Sequence, residues 1–245
     1  MSDIPSDQES STSSKESLTI NNESSTSSKE SSTIGVETST IIVLRHGEPS
    51  GGTGLSSSER IFRGITDDAL TERGWLQMST ALKDVKDIQL ILTSPLIRCS
   101  EFAHKLSKER SLPLQTVDAL KEINFGLWDG QSVKKIAEND AEQLKKFWQY
   151  PMENTPPGGE PVLDFKKRIV SFWNELLTTQ RGKNCLLVSH GGVQKMILAE
   201  VLKMPAQAIH NIEVPYACCS IFQVYYNGTE YLTTLKSHTH LKDGH

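Results

Sequence analysis

Short apolar runs separated by helical patterns are the feature that most restricts the fold of this chain. Runs of apolar and β-branched residues are typical of strands buried on both faces, and they occur at Ile41–Leu44, Leu90–Thr93 and Cys185–Ser189. Helical patterns begin after Thr71 and after Ser94-Pro95, and another covers Asp164–Leu177. Because strands that alternate with helices form parallel sheets, we predict an α/β fold, a three-layer sandwich with a mostly parallel central sheet and helices on both faces.

The C-terminal region has the pattern of an antiparallel hairpin. Ser220–Tyr226 and Glu230–Leu235 flank Asn227-Gly228, a dipeptide that favours a type I′ turn. We expect this hairpin to form one edge of the sheet.

The N-terminal region differs in composition from the rest of the chain. Residues 1–39 are dominated by Ser and Thr, lack aromatic residues, and contain a near-repeat of Glu9–Ile20 at Glu23–Ile34. Such a segment buries too little apolar surface to fold, so we predict a disordered tail and one folded catalytic domain at residues 40–245. Two hypotheses stay open for the tail, a dispensable solvated segment and a phosphorylated or partner-binding arm.

Charge and hydropathy exclude several classes of partner. The formal net charge is -4, there is no Lys/Arg cluster, and no apolar run reaches membrane-spanning length. The Ser-rich and acidic start lacks the features of a signal peptide. We therefore expect a cytoplasmic protein that binds neither nucleic acid nor membrane, and the spacing of its cysteines indicates buried thiols (Cys99, Cys185, Cys218 and Cys219).

Two of the predicted strands end in a histidine followed by glycine. The first run continues as Arg45-His46-Gly47-Glu48 and the third ends in Ser189-His190-Gly191-Gly192. Ligands of open α/β sheets bind beyond the carboxyl ends of the strands, and glycine leaves room there for a ligand to approach the backbone. This arrangement indicates a site that contains both imidazoles.

Further charged residues fit phosphate chemistry at the same sheet edge. Arg98 is expected one turn into the helix that follows the second run, and together with Arg45 it supplies donors suited to a phosphate. Expulsion of an alcohol needs a general acid, for which Glu122 is the main candidate and Glu48 the competitor. A metal site formed by His46, Glu48 and His190 is the alternative, although the arginines would repel a cation.

Taken together, these motifs resemble those of the histidine phosphatase superfamily, which has the phosphoglycerate mutase-like fold. The similarity covers Ile41–Leu235 in order and rests on Arg45-His46-Gly47-Glu48, Ser94–Arg98, Glu122 with Phe125–Gly130, and Ser189–Gly192. It implies that His46 is the nucleophile, that Glu122 is the general acid and base, and that no metal or cofactor is needed. It also implies that the phosphate is held by Arg45, Arg98 and His190.

The chain departs from the family pattern after its first motif. Pro49 replaces a common Thr, and the position of a common Asn falls among Ser50-Gly51-Gly52. We expect backbone amides, those of Gly52 and Gly191, to contribute to phosphate binding instead.

The loop motifs extend the resemblance to a substrate class. Phe125–Gly130, Pro156–Glu160 and Ser189–Val193 are similar to segments of bacterial α-ribazole phosphatases of cobalamin nucleotide-loop assembly, and also of broad-specificity phosphatases. The implied partner is a small-molecule phosphomonoester, and the flat base of α-ribazole could stack on an aromatic side chain (Trp128, Trp148 or Tyr150) unless these side chains belong to the core. The alternatives are a phosphoglycerate mutase and a non-catalytic module that binds a phospho-ligand.

Overall fold

The computed structural model describes residues 37–52 and 60–240, so most of the predicted tail lies outside the described residues. The strands are β1 (Glu37–Arg45), β2 (Leu90–Thr93), β3 (Leu114–Thr116), β4 (Cys185–Ser189), β5 (Cys219–Tyr226) and β6 (Tyr231–Thr239). The helices are α1 (Glu72–Ala81), α2 (Ile97–Arg110), α3 (Val133–Gln149), α4 (Val162–Thr179) and α5 (Gly191–Val201).

The six strands form one sheet in the order β3-β2-β4-β1-β5-β6. The pairs β1–β4, β2–β4 and β2–β3 are parallel, whereas β5 and β6 add an antiparallel hairpin at one edge. The prediction of a mostly parallel sheet with an edge hairpin is confirmed.

Alternate residues of β1 face opposite layers of the molecule. Ile41 and Val43 belong to a hydrophobic cluster with residues of α4 and α5, whereas Ile42 and Leu44 pack in a second cluster with residues of α1 and α2. Side chains of a strand point alternately to its two sides, so a continuous apolar run fits a strand with helices on both faces. The three-layer arrangement is thus confirmed.

β1 begins before the domain boundary that composition suggested. Glu37 pairs with Tyr226 of β5, three residues ahead of position 40, and Thr40 donates its backbone N–H to Asn184 Oδ1 at 2.8 Å. Strand pairing uses backbone groups, so the polar side chains at the start of β1 do not prevent it.

The prediction of a type I′ turn at Asn227-Gly228 is wrong. Gly228 has a positive φ of 100° but Asn227 does not, so the connection is not a type I′ turn with both residues at its centre. Asn227 instead caps a four-residue turn, because its Oδ1 accepts from the N–H groups of Thr229 and Glu230.

The start of α2 also differs from the prediction. The helix begins at Ile97, not directly after Ser94, and Ile97 N–H is capped by Asp67 Oδ1 at 2.6 Å. Because the helix begins at Ile97, Arg98 lies in its first turn and not one turn further along. Ser94 Oγ instead lies 2.7 Å from His190 Nε2.

Helix α3, which sequence patterns did not predict, begins after the cap residue Ser132 and contains a non-helical residue at Asp140. No helix in residues 37–52 and 60–240 is both long and apolar enough to cross a membrane. The four cysteines are free and buried.

Candidate active site

The two histidines meet because β1 and β4 are neighbouring parallel strands. Arg45 is in register with Ser189, and the backbone N–H of His46 donates to Ser189 O at 2.9 Å. The imidazole centroids of His46 and His190 are 5.3 Å apart in an edge-on arrangement. The two imidazoles therefore lie together at the carboxyl ends of β1 and β4.

The hydrogen bonding of His46 defines its tautomer. Nδ1 lies 2.7 Å from the carbonyl oxygen of Gly47, which only accepts, so Nδ1 carries the proton. The neutral ring then has its lone pair on Nε2. Burial lowers the pKa of His46 well below its usual value, and the charges of Arg45 and Arg98 lower it further. These effects favour the neutral imidazole of His46, which is the form that has a lone pair available for attack.

His190 is also buried in its neutral form. Its Nε2 lies 2.7 Å from Ser94 Oγ, and burial, followed by the charge of Arg98, lowers its pKa well below the usual value. The residue precedes the first turn of α5. Its position places an imidazole and the amino end of a helix side by side.

Arg98 is fixed by backbone oxygens of the segment before α1. Nη1 donates to Thr66 O at 2.6 Å and Nη2 donates to Gly64 O at 2.7 Å. Asp129 holds this segment, because its carboxylate accepts from Gly64 N–H and from Thr66 Oγ1. The Nε atom of Arg98 is buried without a hydrogen-bond partner among the described residues.

Arg45 is held in a similar way from another direction. Its Nη1 donates to Val214 O at 2.5 Å, and its guanidinium carbon lies 4.4 Å from the ring centroid of Tyr216. Its buried Nε likewise has no partner within the described part of the chain. A β-carbon on Gly191 would lie 3.3 Å from this Nε, so the start of α5 is close by.

Two backbone N–H groups hold the carboxylate of Glu122 beside the start of α5. Gly192 N–H donates to Oε2 at 2.9 Å and Ile123 N–H donates to Oε1 at 3.1 Å. Burial raises the pKa of Glu122, while the two N–H groups and the charges of Arg98 and Arg45 oppose the increase. The raised pKa favours the protonated carboxyl group, which is the form that can donate a proton.

The competitor Glu48 lies in a different environment. Its carboxylate accepts from Thr71 Oγ1 at 3.2 Å, next to the start of α1, and it does not line the cavity described below.

Gly52 ends a short 3-10 helix, Ser50–Gly52, whose Gly51 is adjacent to the Arg63–Asp68 ion pair. No contact between Gly52 and the two histidines is seen in the described ranges.

A cavity of about 910 Å³ opens above these groups. Arg45, Glu122, Gly191 and Gly192 line it, while His46, which is only 3% exposed, does not. Further lining residues include Arg60, Phe62, Arg63, Phe147, Trp148, Lys195, His210 and Tyr216. The cavity lining thus combines cationic and aromatic side chains.

Sequence reasoning missed most of the cavity lining, including the charged or polar residues Arg63, Lys195 and Tyr216. Arg63 and Tyr216 lie in loops with no strand end to mark them, whereas Lys195 lies one helical turn after Gly191, a spacing that could have identified it. Burial lowers the pKa of Lys195, and the nearby charge of Arg45 acts in the same direction.

Among the residues that the structure describes, no group of three or more His, Cys, Asp or Glu side chains could hold a metal ion. The proposed set of His46, Glu48 and His190 does not form one. Glu48 instead contacts Thr71.

Comparisons with known proteins identify the family of this chain. Residues 41–236 match the family model described as histidine phosphatase superfamily (branch 1). The adenosylcobalamin/alpha-ribazole phosphatase of Escherichia coli is 30% identical over 188 residues, which cover 74% of this chain and 88% of that protein. The 2,3-bisphosphoglycerate-dependent phosphoglycerate mutase of Chlamydia abortus is 25% identical over 207 residues, covering 71% of this chain and 89% of the mutase.

Solved structures show the same fold. The alpha-ribazole phosphatase from Shigella flexneri superimposes with a TM-score of 0.68 and 28% sequence identity, covering 81% of this chain and 95% of that one.

The contact between Gly192 and Glu122 generates a testable prediction. A β-carbon at Gly192 would lie 2.2 Å from Glu122 Oε1, so Gly192→Ala must displace the carboxylate. We expect this substitution to cost about 1–3 kcal/mol in the free energy of unfolding, measured by urea denaturation. In a Glu122→Ala background the same substitution should cost clearly less, because the colliding atoms are gone. Equal costs in both backgrounds would show that the two residues are not coupled.

Proposed function

We propose that this chain, which belongs to the histidine phosphatase superfamily, hydrolyses phosphate monoesters through a covalent phosphohistidine at His46. The observation that carries the proposal is the pair of buried Nε atoms, on Arg45 and Arg98, that lack a protein partner within the described residues. A buried donor without a partner is costly, and an anion bound between the two guanidinium groups would supply the missing acceptors.

The proposed first step is attack on phosphorus by the lone pair of His46 Nε2. A nitrogen–phosphorus bond forms while the bond between phosphorus and the alcohol oxygen breaks, and Glu122 donates its proton to that oxygen. The Nδ1–H bond to Gly47 O supports the positive charge that develops on the imidazole. Arg45 and Arg98 stabilise the negative charge of the transferring phosphoryl group.

The second step releases inorganic phosphate. Glu122, now a carboxylate, accepts a proton from water as the water oxygen attacks phosphorus and the nitrogen–phosphorus bond breaks. His46 returns to its neutral tautomer and Glu122 to its protonated form. This cycle uses no metal and no cofactor.

A second candidate function is a phosphoglycerate mutase. The Chlamydia abortus mutase is 25% identical to this chain, and the same two steps produce a mutase when a second alcohol, rather than water, receives the phosphoryl group. The lifetime of the phosphohistidine in water separates the two functions, since a phosphatase hydrolyses it within each turnover.

For the physiological substrate we propose α-ribazole 5′-phosphate. The named activity of the Escherichia coli relative supports this choice, as does an aromatic side chain at the cavity. Trp148 lines the cavity and is 46% exposed, which leaves its ring available to a flat base. Trp128 is 3% exposed within the core, and Tyr150 does not line this cavity, so Trp148 is the residue of the three that we assign to stacking.

The nucleophile is tested by His46→Ala. We expect the variant to lose turnover of p-nitrophenyl phosphate, because no covalent intermediate can form without the imidazole. Rapid quenching of the wild-type enzyme should trap acid-labile phosphate on His46. Near wild-type turnover by the variant would overturn the mechanism.

The general acid is tested by Glu122→Gln. Hydrolysis of alkyl phosphates should fall by about 10²- to 10⁴-fold, and hydrolysis of p-nitrophenyl phosphate much less, because that leaving group hardly needs a proton. Glu48→Gln is the matched control and should affect both substrates equally. Equal losses for the two substrates in Glu122→Gln would remove Glu122 from this role.

The substrate is tested with a panel of phosphomonoesters. We expect α-ribazole 5′-phosphate to give a higher kcat/KM than 3-phosphoglycerate, fructose bisphosphates or phosphoserine. Trp148→Ala should lower kcat/KM for α-ribazole 5′-phosphate by roughly 3- to 10-fold and leave glycerol 3-phosphate unaffected. Tyr150→Ala, which changes an adjacent aromatic residue outside the cavity lining, is the control. A sugar phosphate or 3-phosphoglycerate as the best substrate would contradict the assignment.

A further inference from the structure

A tyrosine packs against both the candidate nucleophile and the phosphate-binding arginine. The ring centroid of Tyr216 lies 4.4 Å from the guanidinium carbon of Arg45 and 5.7 Å from the imidazole centroid of His46. We propose that Tyr216 is a positioning residue, whose ring holds these two groups in the geometry needed for phosphate binding and attack. The inference deepens the proposed function and rests on it.

The loop that carries Tyr216, residues 213–218, is attached to the end of β1 by three hydrogen bonds. Arg45 N–H donates to Cys218 O at 3.0 Å and Ala217 N–H donates to His46 O at 3.1 Å. Arg45 Nη1 donates to Val214 O at 2.5 Å. The backbone of the loop is therefore fixed relative to both residues that the tyrosine contacts.

The backbone next to Tyr216 adopts an unfavourable conformation. Ala217 has a φ of 53°, in the left-handed region that residues with a β-carbon rarely occupy, and its side chain is buried. Such strain persists only where the surroundings over-determine it, and it is concentrated at functional sites. The hydrogen bond from Ala217 N–H to His46 O is one such constraint.

A side-chain relay anchors the start of the same loop. His238 Nε2 donates to Glu213 O at 2.8 Å, and His238 Nδ1 lies within hydrogen-bond distance of Ser220 Oγ at 2.7 Å. Ser220 Oγ in turn accepts from Gln194 Nε2 at 2.7 Å. These hydrogen bonds tie the start of the loop to β5, β6 and α5.

The ring of Tyr216 acts on its neighbours in two ways. Its face attracts the cation of Arg45, and this contact restricts the guanidinium plane without occupying the Nε donor. It also shields His46 from water. The charged or titratable groups that act on His46 are Arg45, Arg98, Arg63 and His190, and each disfavours protonation of His46 when it is itself charged. Loss of the ring would hydrate the imidazole and weaken the hold on Arg45, and both changes raise the pKa of His46.

The experiment compares Tyr216→Leu with Tyr216→Phe and wild type. We expect Tyr216→Leu to lower kcat/KM for p-nitrophenyl phosphate by roughly 10- to 30-fold and to weaken binding of inorganic phosphate, whereas Tyr216→Phe, which keeps the ring, retains most of both. Proton NMR titration should show His46 half-protonated at a higher pH in Tyr216→Leu than in wild type. A merely structural contact would not move this titration.

Tyr226→Leu is the matched control, because it removes a tyrosine that packs on Arg181 at a similar distance of 4.5 Å, in the edge hairpin. It should change neither kcat/KM nor the titration of His46. If Tyr216→Leu does not fold, Tyr216→Met serves as the variant without a ring.

Three results would overturn the inference. The first is an unchanged phosphate affinity and His46 titration in Tyr216→Leu. The second is a loss of kcat/KM in Tyr216→Phe equal to that in Tyr216→Leu, which would assign the effect to the hydroxyl. The third is an effect of Tyr226→Leu equal to that of Tyr216→Leu. An inactive wild-type protein would instead contradict the proposed function, and the titration and phosphate binding would still decide the role of Tyr216.

Discussion

The site depends on two guanidinium groups, those of Arg45 and Arg98, that have no carboxylate partner in the part of the chain that the structure describes. Arg45 and Arg98 are held by the backbone carbonyl oxygens of Val214, Thr66 and Gly64. Carbonyl dipoles orient a cation but do not neutralise it, so the positive charge persists. Burial lowers the pKa of both histidines, and this charge lowers it further. The protein thereby keeps a neutral imidazole beside a strong positive potential, a combination suited to attack on a phosphate dianion.

Close backbone approaches make this arrangement possible. A β-carbon at Gly47 would lie 2.1 Å from Gly74 O, and one at Gly192 would lie 2.2 Å from Glu122 Oε1. Both glycines follow a strand end that carries a histidine. A side chain on Gly47 would separate α1 from β1, and a side chain on Gly192 would displace the carboxylate of Glu122. Asp129, in the Phe125–Gly130 loop, holds the backbone segment that binds Arg98. That loop therefore helps to position Arg98, in addition to following Glu122 in sequence.

The aromatic residues around the cavity have separate roles in the structure. Trp128 packs with Phe62 and Phe147 in the core, at ring-centroid distances of 5.4 and 5.5 Å, and supports the wall of the cavity. Trp148 follows Phe147 in α3 and is exposed at the cavity. One helix thus supplies both a core ring and an accessible ring, because adjacent helical positions point in different directions.

The sequence by itself determined the sheet and the strand ends that carry His46 and His190, because apolar runs and glycine-flanked histidines are local patterns that tertiary contacts seldom reverse. It also indicated Arg98 and Glu122, but not how either is held. The carbonyl partners of the arginines, the contact between Gly192 and Glu122, and the packing of Tyr216 on Arg45 were decided by tertiary structure alone. These contacts join residues that are far apart in the chain. Several of them use backbone atoms, which every residue possesses, and Tyr216 lies in a loop without a periodic pattern. The sequence therefore does not show which residues make these contacts, because that depends on how the strands and helices are arranged in space.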